Sequence, residues 1–259
     1  MRSIWNGSIG FGLVTIPVKM YSGSESSRVP LDMLDSADHE RIRYKRVNEK
    51  TGKEVEWKNI VKGFKTEKGY VVLEDEDFEQ ANIKKSKTIS IEMFVDESEV
   101  AEVLYKKPYF LEPQKEGGKS YQLLLKALQK TKKLGVASFV MRNKEHLCLI
   151  GPYEEILVAN MIRFQDEIRD PAELEIDVEK VNKKEVDMAI SLIEQYTEPF
   201  DLTQFKDIYN EQLMKIIQQK QGGKKLKKVQ FKEEVTTADK LMAKLKESIE
   251  RKKSAKKAS

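Results

Sequence analysis

The chain has 259 residues, of which 39% are hydrophobic and 35% are charged. A chain of this length and hydrophobicity can bury a substantial core, which excludes a protein that is disordered throughout. Its 47 Lys and Arg residues nearly balance its 43 Asp and Glu residues, so the net charge of +4 by itself identifies no class of partner.

Basic charge is concentrated at the C-terminal end. Residues 223–259 contain 13 Lys/Arg and five Asp/Glu, a net charge of +8, whereas residues 1–222 carry −4. A basic tail on a mildly acidic body is typical of polyanion binding, because each neutralised phosphate releases condensed counterions. The alternative is a tail that is only solvated. The candidate phosphate contacts in the tail are Lys224, Lys225, Lys227 and Lys228.

The single cysteine, Cys148, excludes an intrachain disulfide and favours a reducing compartment. Two histidines, His39 and His146, are too few to complete a Cys/His zinc site with it, so we expect no metal. The N-terminal segment is interrupted by Asn, Gly and Pro, unlike a signal peptide, and no apolar run is long enough to span a membrane. We expect a soluble, cytoplasmic protein without a membrane partner.

Short β-rich segments separated by turn residues dominate the first 170 residues. Their number and spacing indicate an antiparallel barrel or a closed sandwich, in which the last three strands form a meander. The predicted strands are 4–9, 13–21, 41–47, 70–73, 88–95, 107–111, 136–141, 146–150 and 156–164.

Helical periodicity predicts helices at 97–104 and 119–134, the second stopped by Gly135, and two more at 183–195 and 207–220. The predicted fold is therefore α+β and mainly β. It has an antiparallel β-barrel core at 1–170 with an extended β bridge at about 38–64. A helical arm at 171–222, expected to dimerise, and a Lys-rich tail at 223–259 follow. The tail contains an amphipathic helix at 236–251.

The basic run at 41–47 is the strongest candidate for a binding site. As a strand, its alternation places Arg41, Arg43 and Lys45 on one face and Ile42 and Tyr44 on the other. With a turn at 48–52 and a return at 53–58 it forms a basic hairpin, which can contact successive phosphates of a duplex without reading bases. An ordinary surface hairpin, whose Lys and Arg protect an exposed edge, explains the same residues.

Gly118, Lys119 and Ser120 open a predicted helix and resemble the end of a phosphate-binding loop. The pattern fails upstream, because Pro113 stands where the first glycine of that loop is needed. No Ser/His/Asp arrangement or carboxylate pair lies in a recognisable frame. We therefore expect a protein that is not an enzyme and needs no cofactor. A nucleotide-dependent enzyme that uses Lys119 is the alternative.

Four segments of the sequence form a distinctive combination. They are residues 1–23 (MRSIWNGSIGFGLVTIPVKMYSG), the hairpin RIRYKRVNEKTG from Arg41, residues 60–64 (IVKGF) and residues 105–113 (YKKPYFLEP). With these segments in view, the chain resembles the prokaryotic Ku proteins, the DNA-end-binding proteins of non-homologous end joining. The likeness runs in the same order from Met1 to about Gly222 without large gaps.

The resemblance implies a β-barrel with an extended bridge, a homodimer about a twofold axis, and two bridges that close a ring around DNA. It also implies binding of double-stranded DNA ends without sequence preference. Such a ring recruits an ATP-dependent DNA ligase, ligase D, for double-strand break repair at the nucleoid. Some members carry Cys-x-x-Cys at the bridge turn, where this chain has Asn48 and Thr51, so no metal-stabilised turn is expected.

Two bridge legs of roughly 13 residues would each reach about 40 Å at the rise of a strand, so two copies can enclose a duplex and one cannot. The helices between 183 and 220 either contact the second copy or cap their own barrel. The tail adds non-specific affinity, engages a protein, or supplies all the affinity of a DNA-coating protein. The expected phosphate contacts of the bridge are Arg41, Arg43, Lys45, Arg46, Lys50, Lys53 and Lys58, with Lys62 and Lys65 as further candidates.

Overall fold

The computed structural model describes residues 1–81, 87–142, 144–177 and 180–222. The chain divides into two compact units, one of Met1–Ser26 with Asp32–Pro171 and one of Ser27–Leu31 with the residues from Ala172 onwards. The tail and its predicted helix at 236–251 lie outside the described residues. Within the described ranges, no helix has both the length and the apolar character needed to cross a membrane.

The first unit is built on a closed barrel of seven strands in the order β1-β2-β6-β9-β8-β7-β5, and it also contains a separate hairpin, β3–β4. The barrel confirms the predicted mainly-β core and the meander of the last three strands. The strands are β1 (Trp5–Phe11), β2 (Val14–Ser22), β3 (Lys62–Thr66), β4 (Gly69–Leu73), β5 (Thr88–Asp96), β6 (Tyr105–Pro113), β7 (Lys133–Met141), β8 (Lys144–Tyr153) and β9 (Ile156–Ile162). The helices are α1 (Asp75–Ala81), α2 (Gly118–Thr131), α3 (Lys183–Tyr196) and α4 (Ile208–Gln221).

Alternating apolar residues place the core inside the barrel. In β2, Ile16, Val18 and Met20 are fully buried, whereas Thr15 and Lys19 are exposed. Successive side chains of a strand point to opposite faces, so one face of β2 fills the interior and the other faces outward. All seven barrel strands and α2 contribute to the same hydrophobic cluster.

The barrel closes where β1 and β5 pair in parallel, while its other neighbouring strands are antiparallel. Trp5 pairs with Met20 near the end of β2, and Ser8 pairs with Thr88 at the start of β5. The insertion at residues 23–87 therefore leaves and re-enters the barrel at the same end, on the two sides of β1. At the point of re-entry, a Cβ on Gly7 would lie 2.1 Å from the carbonyl oxygen of Lys87, so only glycine fits there.

Helix α2 packs against the barrel core with a stripe of buried side chains, Tyr121, Leu124, Leu125 and Leu128. The hydroxyl of Tyr121 donates a hydrogen bond to the carbonyl of Leu111 and accepts one from the backbone N–H of Leu157 at 2.7 Å. Both backbone groups belong to paired strands, β6 and β9. One side chain thus joins the helix to the barrel wall and satisfies two buried polar groups.

Three local predictions for the barrel region are wrong. The helix predicted at 97–104 is two single 3₁₀ turns, Glu97–Glu99 and Glu102–Leu104, because this short link connects β5 directly to β6. Helix α2 ends earlier than predicted, at a left-handed Lys132, and Gly135 lies inside β7. Strand β8 continues through the predicted turn at residues 151–152 to Tyr153.

The second unit contains α3 and α4, which confirm the helices predicted at 183–195 and 207–220 to within one residue. Asn182 caps α3 by accepting from the backbone N–H of Glu185 at 3.0 Å, and the Glu185 carboxylate accepts the N–H of Asn182 in return. Asp207 caps α4 by accepting from the N–H of Asn210. No described residue between 172 and 222 is buried.

Replacing Tyr121 by Phe will destabilise the barrel, because the change leaves the Leu111 carbonyl and the Leu157 N–H buried without the hydroxyl as a partner. We expect a loss of about 1–3 kcal/mol in the free energy of unfolding, measured by urea denaturation. The control is Tyr153→Phe, which removes a hydroxyl from a side chain that is 54% exposed. Equal stability of the two variants would contradict the structural role of the Tyr121 hydroxyl.

Candidate nucleic-acid interface

The bridge segment, which we define as residues 32–73, contains the predicted bridge and all nine of its candidate phosphate contacts. None of its residues is buried, and none belongs to the hydrophobic clusters of the barrel. Large apolar side chains are nevertheless exposed along it, among them Tyr44 at 80% and Trp57 at 72%. Large apolar side chains exposed along one segment make it a candidate interaction surface.

Three successive hairpins form the bridge segment. Leu34 pairs with Arg41 in the first, Val47 pairs with Glu54 in the second, and β3 pairs with β4 in the third. The run at 41–47 thus pairs only at its two ends and with two different partners, so the prediction of a regular strand there is wrong. Turns at residues 36–39 and 48–52 cause this, and they also make the legs shorter than the roughly 13 residues expected for two straight strands.

Asn48 holds the turn of the second hairpin. Its Oδ1 accepts the backbone N–H groups of Lys50 and Thr51, both at 3.0 Å, and its carbonyl accepts the N–H of Gly52 at 2.8 Å. Gly52 has a φ of +65°, a conformation that glycine adopts without steric cost. Here side-chain hydrogen bonds organise the turn.

Three candidate cations are already paired with carboxylates of the bridge segment. All six side chains remain more than half exposed, so each pair adds little stability and stays open to competition from another anion. The hydrogen bond to Glu54 raises the pKa of Lys45 above its ordinary value. The pairs are Arg41–Asp32 at 2.7 Å, Lys45–Glu54 at 2.8 Å and Lys58–Glu56 at 2.7 Å.

Two further candidates lie over aromatic rings. The guanidinium carbon of Arg46 is 4.5 Å from the ring centroid of Trp57, and Nζ of Lys62 is 4.5 Å from that of Phe78. A cation held over a ring keeps its charge accessible while its position is restricted. Lys62 and Lys65 are three residues apart in β3, so they point to opposite faces of the third hairpin. A flat ligand therefore contacts one of these two lysines, not both.

The remaining candidates in the bridge segment are exposed and form neither an ion pair nor a ring contact within the described part of the chain. These residues are Arg43, Lys50, Lys53 and Lys65. Residues 41–68 contain ten Lys/Arg and four Asp/Glu, a formal net charge of +6. The concentration of positive charge on short exposed hairpins creates a surface that attracts polyanions. The tail candidates, Lys224, Lys225, Lys227 and Lys228, lie outside the described residues.

Sequence reasoning missed the partners of these cations. Asp32, Glu54 and Glu56 neutralise three of them, and Trp57 supports a fourth. The Lys45–Glu54 contact could have been predicted, because a turn at 48–52 brings the residues that precede the turn opposite those that follow it. The Asp32 contact depends on the first hairpin, which the sequence pattern did not predict.

The glycine–lysine–serine sequence before α2 has a structural explanation. A Cβ on Gly117 would lie 2.9 Å from Cδ of Pro17, so close packing of this turn on β2 requires glycine. Gly118 already has helical backbone angles and begins α2. The loop before it is a single 3₁₀ turn, Lys115–Gly117, rather than the longer glycine-rich loop that surrounds a nucleotide phosphate.

Cys148 and His146 belong to the barrel rather than to a polar site. Cys148 is fully buried, and burial raises the pKa of its thiol. The His146 ring packs against Phe139 with ring centroids 5.6 Å apart, and burial lowers its pKa. In the parts of the chain that the structure describes, no group of three or more His, Cys, Asp or Glu residues is arranged to hold a metal ion.

A closed seven-stranded barrel that carries a long, exposed and cationic insertion defines the structural class of this protein. The family described as the Ku70/Ku80 beta-barrel domain matches residues 10–188. The chain belongs to the Ku family, which confirms the resemblance drawn from the sequence.

Similar proteins cover nearly the whole chain. It is 40% identical over 253 residues to the non-homologous end joining protein Ku of Archaeoglobus fulgidus, a match that covers 96% of this chain and 99% of that protein. The corresponding protein of Pseudomonas aeruginosa is 38% identical and covers 90% of this chain, with 82% of its own length matched. That of Coxiella burnetii is 34% identical over 99% of this chain and 97% of its own length.

Replacing Asn48 by Ala will loosen the second hairpin, because the N–H groups of Lys50 and Thr51 lose their acceptor. We expect amide hydrogen exchange at these two residues to accelerate about five- to tenfold, while exchange in the barrel stays unchanged. Asn48→Asp retains an acceptor oxygen and serves as the control. Unchanged exchange in the Ala variant would show that the turn does not depend on this side chain.

Proposed function

We propose that this chain binds the ends of double-stranded DNA without sequence preference, as a ring-shaped homodimer threaded on the duplex. It acts in the repair of double-strand breaks by non-homologous end joining, at the nucleoid. It recruits an ATP-dependent DNA ligase, ligase D, and catalyses no step itself. The names of its relatives as non-homologous end joining proteins support this pathway.

The cationic bridge segment is the observation that carries the proposal. Its positive charge lies on exposed hairpins, where Arg43, Lys50 and Lys53 are available to phosphates. Contacts to the phosphate backbone fix a protein on a duplex but carry no sequence information, which accounts for binding without sequence preference. Because the insertion leaves and re-enters the barrel on the two sides of β1, its two ends are anchored close together on one rigid support.

Exposed apolar side chains support the homodimer. In the third hairpin, Phe64 is 68% and Tyr70 is 70% exposed. In the second unit, α3 carries an apolar stripe of Val186, Ile190 and Ile193, which are 44%, 47% and 65% exposed. A second copy about a twofold axis is the simplest closed assembly that covers such surfaces, and one bridge segment alone cannot surround a duplex.

A DNA-coating protein that binds through its tail is the second candidate, favoured by the net charge of +8 on residues 223–259. The two candidates differ in where the affinity originates. The tail binds linear and circular DNA alike, because it contacts phosphates without enclosing them. The ring needs a free end to load.

Full-length protein will bind linear duplex strongly and relaxed, covalently closed circles weakly at moderate salt, because a closed ring loads only at an end. Gel-shift titration of both DNAs, with full-length protein and with a chain truncated after Gly222, measures the difference. We expect the truncated chain to keep the preference for linear DNA with lower affinity. Equal affinity for the two DNAs contradicts threading, and loss of all binding on truncation favours the coating protein.

Ile190→Asp will convert the dimer to a monomer, because it places a charge in the apolar stripe of α3. Size-exclusion chromatography with light scattering measures the mass, and circular dichroism checks that the helices remain. Ser191→Asp adds the same charge at the neighbouring exposed position and serves as the control. A dimer that persists in the Ile190→Asp variant excludes α3 from the dimer contact, and a monomeric wild-type protein argues against the ring.

A further inference from the structure

The bridge segment carries its own negative charges at the places where the proposed function puts DNA phosphates. Lys45 Nζ lies 2.8 Å from Glu54 Oε2, across the second hairpin, and Arg41 lies 2.7 Å from Asp32 in the first. Each carboxylate occupies the position on the cation that a phosphate oxygen would take. The side chains of Lys45 and Glu54 are 71% and 57% exposed, so DNA has access to the pair.

An exposed ion pair is a weak competitor, since water and salt screen the attraction between its partners. Lys45 therefore exchanges Glu54 for a phosphate at small cost. The exchange has a distinct thermodynamic signature. When a free lysine binds a phosphate, the cation condensed on that phosphate is released, and the affinity falls as salt is added. When a paired lysine changes partners, the released carboxylate attracts a cation from solution, which offsets that release.

We propose that Glu54 competes with DNA phosphate for Lys45, and that Asp32 does the same for Arg41, so that these carboxylates set the strength and salt dependence of DNA binding. The inference rests on the proposed function, since it concerns the same interface. Arg43, Lys50 and Lys53, which have no such partner within the described residues, supply the salt-sensitive contacts. Glu54 and Asp32 are thus residues that tune affinity without contacting DNA.

Such tuning suits a ring that moves along a duplex. A cation that exchanges one anion for another at nearly equal energy keeps the protein near the phosphates but does not hold it at a single position. Carboxylates within the interface lower the barrier for leaving each phosphate, because the departing lysine finds a partner at once. Removal of the carboxylates therefore tightens binding and slows movement.

The test compares Glu54→Gln with Glu49→Gln, measured by fluorescence anisotropy on a linear duplex between about 50 and 200 mM NaCl. Both changes remove one negative charge from the second hairpin, but Glu49 forms no ion pair within the described residues. The backbone hydrogen bonds of the hairpin, from Val55 to Arg46 and from Asn48 to Lys53, do not involve the Glu54 side chain. Amide hydrogen exchange over residues 46–55 checks that they remain.

We expect Glu54→Gln to tighten DNA binding about two- to fivefold more than Glu49→Gln, in line with the small strength of an exposed pair. The plot of log affinity against log salt should steepen by at most about 0.9 per chain, because no freed carboxylate takes up a cation to offset the counterion that Lys45 releases. In a Lys45→Met background, Glu54→Gln should lose this excess over Glu49→Gln. A Glu54→Gln variant that binds no tighter than Glu49→Gln, or more weakly, overturns the inference and shows that Glu54 positions Lys45.

Failure of this inference differs from failure of the proposed function. If wild-type protein does not prefer linear DNA, the ring is wrong whatever Glu54 does. If wild-type protein prefers linear DNA and the two glutamine variants behave alike, the ring stands and the competition between Glu54 and phosphate is wrong.

Discussion

Closure of the barrel between β1 and β5 is the constraint on which the interface depends. Parallel strands normally require a long crossover, yet here β2 ends at the same end of the barrel at which β5 begins, and only β1 lies between them. Closure leaves no unpaired strand edge in the barrel, and the bridge segment adds no residue to its hydrophobic clusters. Gly7 makes this possible, because no larger residue admits the Lys87 carbonyl beside β1.

The bridge segment of the insertion does not form part of the hydrophobic core. Its order comes from turns and local hydrogen bonds, such as those of Asn48, rather than from buried apolar contacts. Its apolar side chains remain available to another surface and its cations to phosphates. Such a segment has a defined geometry, and its exposed side chains remain free to contact a partner. Enclosure of DNA by two copies would require both properties.

The sequence predicted the barrel well because β2 alternates buried and outward-facing residues, and because the strands of the final meander are apolar runs separated by turn residues. It failed where tertiary connections override the local pattern. Helical spacing up to Leu128, with Gly135 as the stop, predicted one helix that extends to Leu134, but the left-handed Lys132 separates α2 from β7. The link at 97–104 has helical composition but is too constrained by β5 and β6 to form a full helix.

The sequence predicted the positive charge of the candidate site. It did not predict which residues of the site lie next to one another. Alternation placed Arg41, Arg43 and Lys45 on one face of a strand, whereas Arg41 and Lys45 belong to two different hairpins and face Asp32 and Glu54. Pairs of this kind depend on which residues the turns bring together, and no local pattern contains that information. The basic pattern and the family resemblance both pointed to this region as the candidate site, and only the structure shows which residues pair within it.

The most direct test of enclosure is retention on DNA whose ends are blocked after loading. The protein is bound to a linear duplex with biotin at both ends, and streptavidin is then added. Release is followed in high salt, where phosphate contacts alone no longer hold a protein. The account predicts that the protein stays on the blocked duplex and leaves at once when a restriction enzyme removes an end. Release from blocked and open duplex at the same rate would contradict it.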